Sequence, residues 1–104
     1  MPLNDLTRMT NEIAKQSDVL ARYVSKYFFD MLLHVHSLSR SVARGGQVHY
    51  VVGNSKFFDV VLPVERLFAD IFELSGFKNA TVSTLRKRTS KRELYEYLVS
   101  ATKR

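Results

Sequence analysis

Residues 47–55 read Gln-Val-His-Tyr-Val-Val-Gly-Asn-Ser, a short apolar segment that ends in turn-forming residues. Its first six residues are mostly apolar and include β-branched and aromatic side chains. This is typical of a central strand buried on both faces, as in a parallel sheet. Gly53, Asn54 and Ser55 favour a turn, because each of these residue types supports tight backbone conformations. We therefore predict a parallel strand over 47–52 and a turn directly after it.

A long amphipathic helix is predicted before this strand. From residue 19 onward, apolar residues recur in pairs every four positions, which is the spacing of one helix face. Ser17 or Asp18 can cap its start by accepting from exposed backbone N–H groups. Gly45 and Gly46 are expected to end it, since glycine takes a left-handed conformation at little steric cost, and a bend near 37–41 is compatible with the sequence. The predicted apolar face consists of Val19, Leu20, Tyr23, Val24, Tyr27, Phe28, Met31, Leu32 and Val35.

A second helix and a further strand follow the turn. Pro63 stands where a first helical residue is expected, apolar residues continue at helical spacing over 64–72, and Gly76 closes the helix. Helix, strand and helix in this order form one unit of an α/β fold. Residues 80–88 are rich in alternating Thr and Val, so we predict a strand there. Glu65 is expected to face solvent or to interact with the N-terminal dipole of the second helix.

Residues 91–100 have two structural interpretations. Ser90 and Glu93 form a capping box, which favours the start of a helix. The alternation of aromatic, acidic and aliphatic residues over 94–99 instead favours a strand that is partly buried on both faces. The residues alone leave both interpretations open.

The composition indicates one globular domain. A chain of 104 residues with 45% hydrophobic and 25% charged residues can form one modest core, but it is too short for a cofactor domain and a substrate domain together. Residues 1–16 show little periodicity, so we predict a flexible or short-helical lead-in, followed by one α/β domain over 17–104. The sequence has no cysteine, no secretory signal and no apolar run of membrane-spanning length, and we expect a cytoplasmic location.

Basic residues are concentrated near the C-terminus. The chain has 16 Lys and Arg against 10 Asp and Glu, a formal net charge of +6, which favours polyanionic partners. Residues 86–92 carry five cations before any acidic residue, and Lys103 and Arg104 end the chain. We predict that this segment contacts DNA or RNA phosphates and that Tyr95 and Tyr97 stack on bases, with a solvated hairpin as the alternative. The five cations are Arg86, Lys87, Arg88, Lys91 and Arg92.

Taken in order, these segments resemble the C-terminal half of a known enzyme family. The helix ending in Arg-Gly-Gly, the strand Val-His-Tyr-Val-Val-Gly-Asn-Ser, the Pro-led helix ending in Ser-Gly-Phe and the stretch Arg-Lys-Arg-Thr-Ser-Lys-Arg-Glu-Leu-Tyr-Glu-Tyr are similar to those of class I S-adenosylmethionine-dependent methyltransferases. The most similar group methylates exocyclic amino groups of adenine or cytosine in DNA, and it has RNA-modifying relatives. The resemblance covers roughly residues 18–102.

The resemblance implies a partial Rossmann-like methyltransferase sheet, built from a long helix, a parallel strand, a helix and a C-terminal antiparallel hairpin. It implies a strand rather than a helix over 91–100. It also implies that Asn54 and Ser55 lie at the carboxyl end of a parallel strand, where open α/β sheets bind their ligands. We therefore predict that both residues form the rim of a substrate pocket.

The segments that perform the chemistry in this family are missing from the chain. The family binds S-adenosylmethionine with a Gly-rich loop, and it holds the extruded base with an Asp or Asn followed by Pro-Pro and an aromatic residue. The four glycines all lie in predicted turns or helix ends, and no Pro-Pro occurs. We therefore assign no catalytic residue. We expect that this chain alone binds no cofactor and transfers no methyl group.

No metal or nucleophilic site is indicated by the sequence. His34 and His36 point in different directions on the predicted helix, and neither has an acidic residue near it to complete a ligand set. No cysteine or hydrolase motif offers a nucleophile. We predict no metal site.

Three functional hypotheses follow. The first is a truncated or split nucleic-acid methyltransferase-like protein, inactive alone, whose strand over 48–52 has a free edge that pairs with a complementing half or with a second copy. The second is a small basic nucleic-acid-binding module without catalysis. The third is an oligomerising protein that associates through the long helix, with Tyr27, Phe28, Met31 and Leu32 in the interface.

Overall fold

The structure is a computed structural model that describes residues 4–57, 60–87 and 94–104. Within these ranges the chain is an α/β fold of helices and antiparallel strands. The helices are α1 (Asn4–Ala14), α2 (Asp18–Ser39) and α3 (Val64–Leu74), and the strands are β1 (Gln47–Gly53), β2 (Ser55–Phe57), β3 (Val60–Leu62), β4 (Phe77–Lys87) and β5 (Tyr95–Lys103). None of the described helices has the length and hydropathy that a membrane crossing requires.

The main sheet has the strand order β1-β5-β4, and both pairs are antiparallel. This corrects the predicted parallel strand over 47–52, and the Rossmann-like parallel sheet is not found among the described strands. β1 is an edge strand with one covered face, because Val48 is buried whereas Val51 on the other face is 62% exposed. The prediction was wrong because Val51 is apolar although it is exposed, so the sequence of β1 resembles that of a strand buried on both faces.

The C-terminal antiparallel hairpin is formed by β4 and β5. β4 extends the strand predicted over 80–88 back to Phe77, and Arg88 lies outside the described residues. For 91–100 the strand interpretation is confirmed from residue 95 onward, because β5 pairs with a neighbour on each side. The predicted capping box at residues 90–93 lies outside the described part of the chain.

Helix α2 starts at the predicted cap and ends earlier than predicted. The Ser17 hydroxyl oxygen accepts a hydrogen bond from the Leu20 backbone N–H at 3.1 Å. The helix stops at Ser39, so its 22 residues span about 33 Å. Gly45 does not end the helix but lies in the turn before β1, where its φ of +83° suits a residue without a side chain.

Helix α1 belongs to the same core as the rest of the chain. Residues 1–16, predicted as a flexible or short-helical lead-in, contain this helix. Leu6 and Ile13 are buried, and they form one hydrophobic cluster with Phe28 of α2. The N-terminal segment therefore packs on the domain instead of extending away from it.

Helices α2 and α3 lie on the same face of the sheet. α3 packs mainly on β4 and β5, where the rings of Phe72 and Phe77 meet with centroids 5.5 Å apart. α2 packs beside α3 through Phe28 and Phe68, whose ring centroids are 6.4 Å apart. The core thus contains a group of aromatic rings between α2, α3 and the sheet, packed together with aliphatic side chains that include those of α1.

Candidate strand-pairing edge and groove

β1 has one edge that is free in the described part of the chain. It pairs with β5 on one side, and no described strand pairs with the other side. Its sequence contains no Lys, Arg, Asp, Glu or Pro, and its pairing with β5 has no register shift. An edge of this kind is a template for another strand, because its N–H and C=O groups are available for pairing. The arrangement agrees with the free edge predicted over 48–52.

The opposite edge of the sheet, β4, has features that oppose strand pairing. Its register against β5 shifts twice, and Asn79 has a φ of +54°. Lys78 and Arg86 add positive charge along the strand. Irregular pairing and charged residues both discourage association at a sheet edge. β1 is therefore the edge better suited to a partner.

Helix α2 lies above the free edge of β1. A hydrogen bond of 2.9 Å between His34 Nε2 and the Tyr50 hydroxyl places α2 on the β1 side of α3. Packed helices lie about 8–10 Å apart, and neighbouring strands lie about 4.8 Å apart. Since α3 packs mainly on β4 and β5, α2 falls about two strand widths further along the sheet, over the edge of β1.

An exposed apolar strip runs along the side of α2 that faces this edge. It consists of Val19, Tyr23 and Tyr27, which we call the aromatic flank; the first two are each 71% exposed. The predicted apolar face included all three residues, but the structure buries only the part that carries Val24 and Phe28. Large apolar side chains that are exposed in one strip mark an interaction surface.

A groove of about 280 Å³ lies between the aromatic flank and the end of β1. Tyr23 and Tyr27 line it on the α2 side, Gly53 and Ser55 line it at the end of β1, and Leu62 of β3 also contributes. Its surface is mainly apolar, with the half-buried Ser55 adding a hydroxyl group. Ser55 thus lies in a concave surface at the end of β1, and its role at the rim of a substrate pocket stays a prediction.

Asn54 connects two strands. Its side chain is buried, and its Oδ1 accepts a hydrogen bond from the Tyr95 N–H at 2.8 Å. The Asn54 backbone N–H donates to the Tyr95 carbonyl at 3.4 Å. An asparagine amide can replace a backbone carbonyl in this way where a strand ends. These bonds hold the end of β1 against the start of β5, and Asn54 is not among the residues that line the groove.

The described residues among those predicted to contact nucleic acid lie at this end of the sheet. Tyr95 and Tyr97 are half-buried, with ring centroids 6.1 Å apart. Arg86 Nε forms an ion pair of 2.7 Å with Glu96 Oε1, which reduces its charge toward a partner. Lys87 is the last residue of β4. Arg88, Lys91 and Arg92 lie outside the described residues, so their phosphate contacts stay a prediction.

Glu65 is buried near Tyr97, whereas sequence reasoning expected it to face solvent. Its carboxylate Oε1 has no hydrogen-bond donor within reach among the described residues. Burial raises the pKa of this carboxyl group above its ordinary value. The pKa of the Tyr97 hydroxyl is also raised, first by burial and then by the Glu65 charge. The spacing of Glu65 with Phe68 and Phe72 on the core face of α3 was the sequence signal for its burial.

Glu65→Gln is expected to raise the free energy of unfolding at neutral pH by about 1 kcal/mol, because it removes a buried charge whose Oε1 has no hydrogen-bond donor among the described residues. A raised pKa means that the protonated carboxyl stabilises the fold below the unfolded-state pKa, and that this contribution is lost as the pH rises through the folded-state pKa. Gln does not titrate, so the variant's advantage should grow with pH over that range. Urea unfolding at several pH values measures it, with the exposed Glu73→Gln as control. A variant less stable than the wild type at neutral pH would contradict this account.

Two of the three histidines have hydrogen-bond partners in the fold. His34 bonds to Tyr50, and His49 Nδ1 lies 2.8 Å from the Ser100 hydroxyl oxygen. Among the residues the structure describes, no three His, Asp or Glu side chains come close enough together to hold a metal ion. The described part of the chain therefore offers a pairing edge and a groove as its candidate site.

The resemblance to amino-methyltransferases is carried by sequence motifs. The structure adds three features of its own: the free edge of β1, the groove at the end of β1 and the aromatic flank. Comparison with protein-family models, with curated proteins and with solved structures gives no match for this chain.

Proposed function

We propose that this chain is the non-catalytic half of a split or truncated nucleic-acid amino-methyltransferase. In this proposal it joins a complementing chain through the free edge of β1, and it transfers no methyl group alone. The observation that carries the proposal is the uncharged, regular edge of β1 beside an exposed aromatic flank. S-adenosylmethionine would belong to the complete enzyme, and the complementing chain would supply its binding loop and the catalytic motif.

Strand addition at β1 would use two kinds of contact. The free N–H and C=O groups of β1 can bond to a partner strand, which is how many proteins recruit extended segments. The aromatic flank can cover the partner's side chains from above, because α2 lies over the place where an added strand would run. Backbone pairing and apolar burial together support a stable association.

A different chain suits this edge better than a second copy does. In a symmetric dimer, the two β1 strands would pair antiparallel about a two-fold axis, and both copies of α2 would lie on the same face of the joined sheet. Each α2 lies on the β1 side of its own α3, so the two helices would crowd each other across the joined edge, because helices need about 8–10 Å between their axes. The complementing half of the methyltransferase is therefore the partner we propose.

The complex is testable by reconstitution. The partner to use is a protein of the same genome that carries a Gly-rich cofactor loop and an Asx-Pro-Pro-aromatic motif but lacks the closing segments. Co-expression should give a complex with one copy of each chain that transfers a labelled methyl group from S-adenosylmethionine to DNA or RNA. Each chain alone should be inactive, and calorimetry of this chain alone with S-adenosylmethionine should show no binding.

Two variants separate the proposed edge from the rest of the surface. Tyr23→Lys combined with Val51→Lys places charge on the aromatic flank and on β1, and it should abolish both co-purification and methyl transfer. Leu85→Lys introduces one such charge at an exposed apolar residue of β4, and it should leave both unchanged; Tyr23→Lys and Val51→Lys are also measured singly, so that each comparison involves one added charge. The proposal is overturned if the chain is a stable monomer that no S-adenosylmethionine-binding chain retains, or if it forms a dimer with itself through β1.

A further inference from the structure

Five basic residues lie in three segments of the chain that come together at the end of the sheet opposite to Asn54. The turn before β1 is joined to the end of β5, because the Gly45 N–H donates to the Lys103 carbonyl at 3.0 Å and the Lys103 N–H donates to the Gly46 carbonyl at 2.7 Å. β4 begins beside them, with Lys78 opposite Thr102. We call this group the basic end; it consists of Arg40, Arg44, Lys78, Lys103 and Arg104.

The charges of the basic end are not neutralised by described residues. None of the five cations forms an ion pair within the described part of the chain, whereas Lys15, Lys26 and Arg86 each pair with an acidic residue. Glu73, in the last turn of α3, is an acidic residue at the same end of the sheet, and it forms no ion pair with them. A group of unpaired cations attracts an anionic partner more strongly than paired surface charges do.

Two members of the basic end are held in place by the fold. Arg104 Nε donates a hydrogen bond of 3.1 Å to the Phe77 carbonyl. Lys103 Nζ lies 5.9 Å from the centroid of the Phe77 ring. These contacts reduce the conformational freedom that a partner would otherwise have to remove, while the other three side chains are exposed.

We propose that the basic end binds the phosphate backbone of a nucleic acid. Three of the five residues are arginines, and one planar guanidinium group can donate two parallel hydrogen bonds to the oxygens of a phosphate. The opposite end of β5 lies nine residues away, or about 30 Å, where it pairs with Arg86 and Lys87 of β4. A polymeric anion can contact both ends at once, which a free phosphate or a short acidic peptide cannot do. The sequence alone did not reveal this surface, because its members are joined only by the pairing of β5 with the turn before β1.

This proposal does not rest on strand pairing at β1, and it is testable on the chain alone. The variant Arg40→Gln, Arg44→Gln, Lys78→Gln removes three exposed cations of the basic end. The control Lys15→Gln, Arg22→Gln, Lys26→Gln removes one exposed cation from the turn after α1 and two from α2. Both variants lower the formal net charge from +6 to +3, so a difference between them reports position instead of total charge.

Binding is measured by fluorescence anisotropy with labelled single-stranded DNA, duplex DNA and RNA of about 20 nucleotides, between about 50 and 200 mM salt. We expect the basic-end variant to bind about tenfold or more weakly at the lowest salt, with the slope of log K against log salt reduced by about 2–3. The control should lose less than about threefold. Circular dichroism should show that both variants stay folded.

Three results would overturn the proposal. The first is an equal loss of affinity in the two variants, which would indicate an unspecific effect of net charge. The second is a wild-type chain that binds none of the three nucleic acids at the lowest salt. The third is tighter binding to phosphatidylserine vesicles than to nucleic acid, lost in the same variant, which would assign the basic end to a membrane surface.

Discussion

Phe72→Ala is expected to lower the free energy of unfolding by about 3–5 kcal/mol, the largest effect of any single change considered for this chain. Phe72 is fully buried in α3, and its ring meets those of Tyr50, Phe77 and Phe68 with centroids 5.3, 5.5 and 6.4 Å apart. Removing it leaves a cavity where β1, β4 and α3 meet, and the surrounding side chains can fill such a space only in part.

This loss is a large fraction of the stability of a small domain, which is typically about 5–15 kcal/mol. Urea unfolding followed by circular dichroism measures it. Leu74→Ala is the matched control, because Leu74 lies in the same helix and is 45% exposed; it should cost less than about 1 kcal/mol. Equal losses in the two variants would mean that α3 does not pack on the sheet through Phe72.

Elements with local signals were predictable from the sequence. Pro63 and Gly76 delimit α3 within one residue, since proline and glycine act through their own backbone preferences. The Ser17 cap of α2 is equally local. The end of α2 at Ser39 was missed, because the apolar spacing on which the prediction rested stops at Val35 and no local signal marks the last turn. Such signals fix where an element starts or ends, but not what it pairs with.

Strand direction was not predictable, because side-chain periodicity reports burial and carries no information on the neighbouring strand. The apolar residues of β1 predict a central parallel strand. Val51 is the residue that makes this prediction wrong, because it is apolar but lies exposed on the open face of the sheet. The aromatic flank misled in the same way. The paired apolar residues of α2 predict a wide buried face, but the structure buries only the side of α2 that faces α3. In both places the apolar excess lies next to the free edge.

The candidate surfaces depend on contacts between distant segments. The groove needs Tyr23 and Ser55 to meet across thirty-two residues of chain, and the basic end needs the turn at 44–46 to pair with Lys103. Asn54 shows the opposite case, since it was singled out as a pocket residue while the fold gives its side chain a bond to a strand that begins forty-one residues later. The sequence pattern singled out Asn54, but the contact of its side chain with Tyr95 follows only from the pairing of β1 with β5.

Asn54→Ala is expected to lower the free energy of unfolding by about 1–3 kcal/mol, because the Tyr95 N–H would lose its acceptor at a site that water does not reach easily. The loss should be local at first, so hydrogen exchange of the Tyr95 amide should accelerate more than that of amides in the centre of β5. Ser55→Ala is the control, since Ser55 lines the groove without a described strand-joining side-chain bond; it should change stability by less than about 0.5 kcal/mol.

The same pair of variants separates a structural role from a binding role. If Asn54 were a ligand-binding residue of the groove, its alanine variant would keep its stability and the exchange rate of the Tyr95 amide would not change. If Asn54 joins β1 to β5, both quantities change, and the reconstituted complex weakens because the end of the pairing edge is no longer held in place. Ser55→Ala should then leave the complex intact. The Ser55 variant therefore tests contacts in the groove, and the Asn54 variant tests the position of the β1 edge.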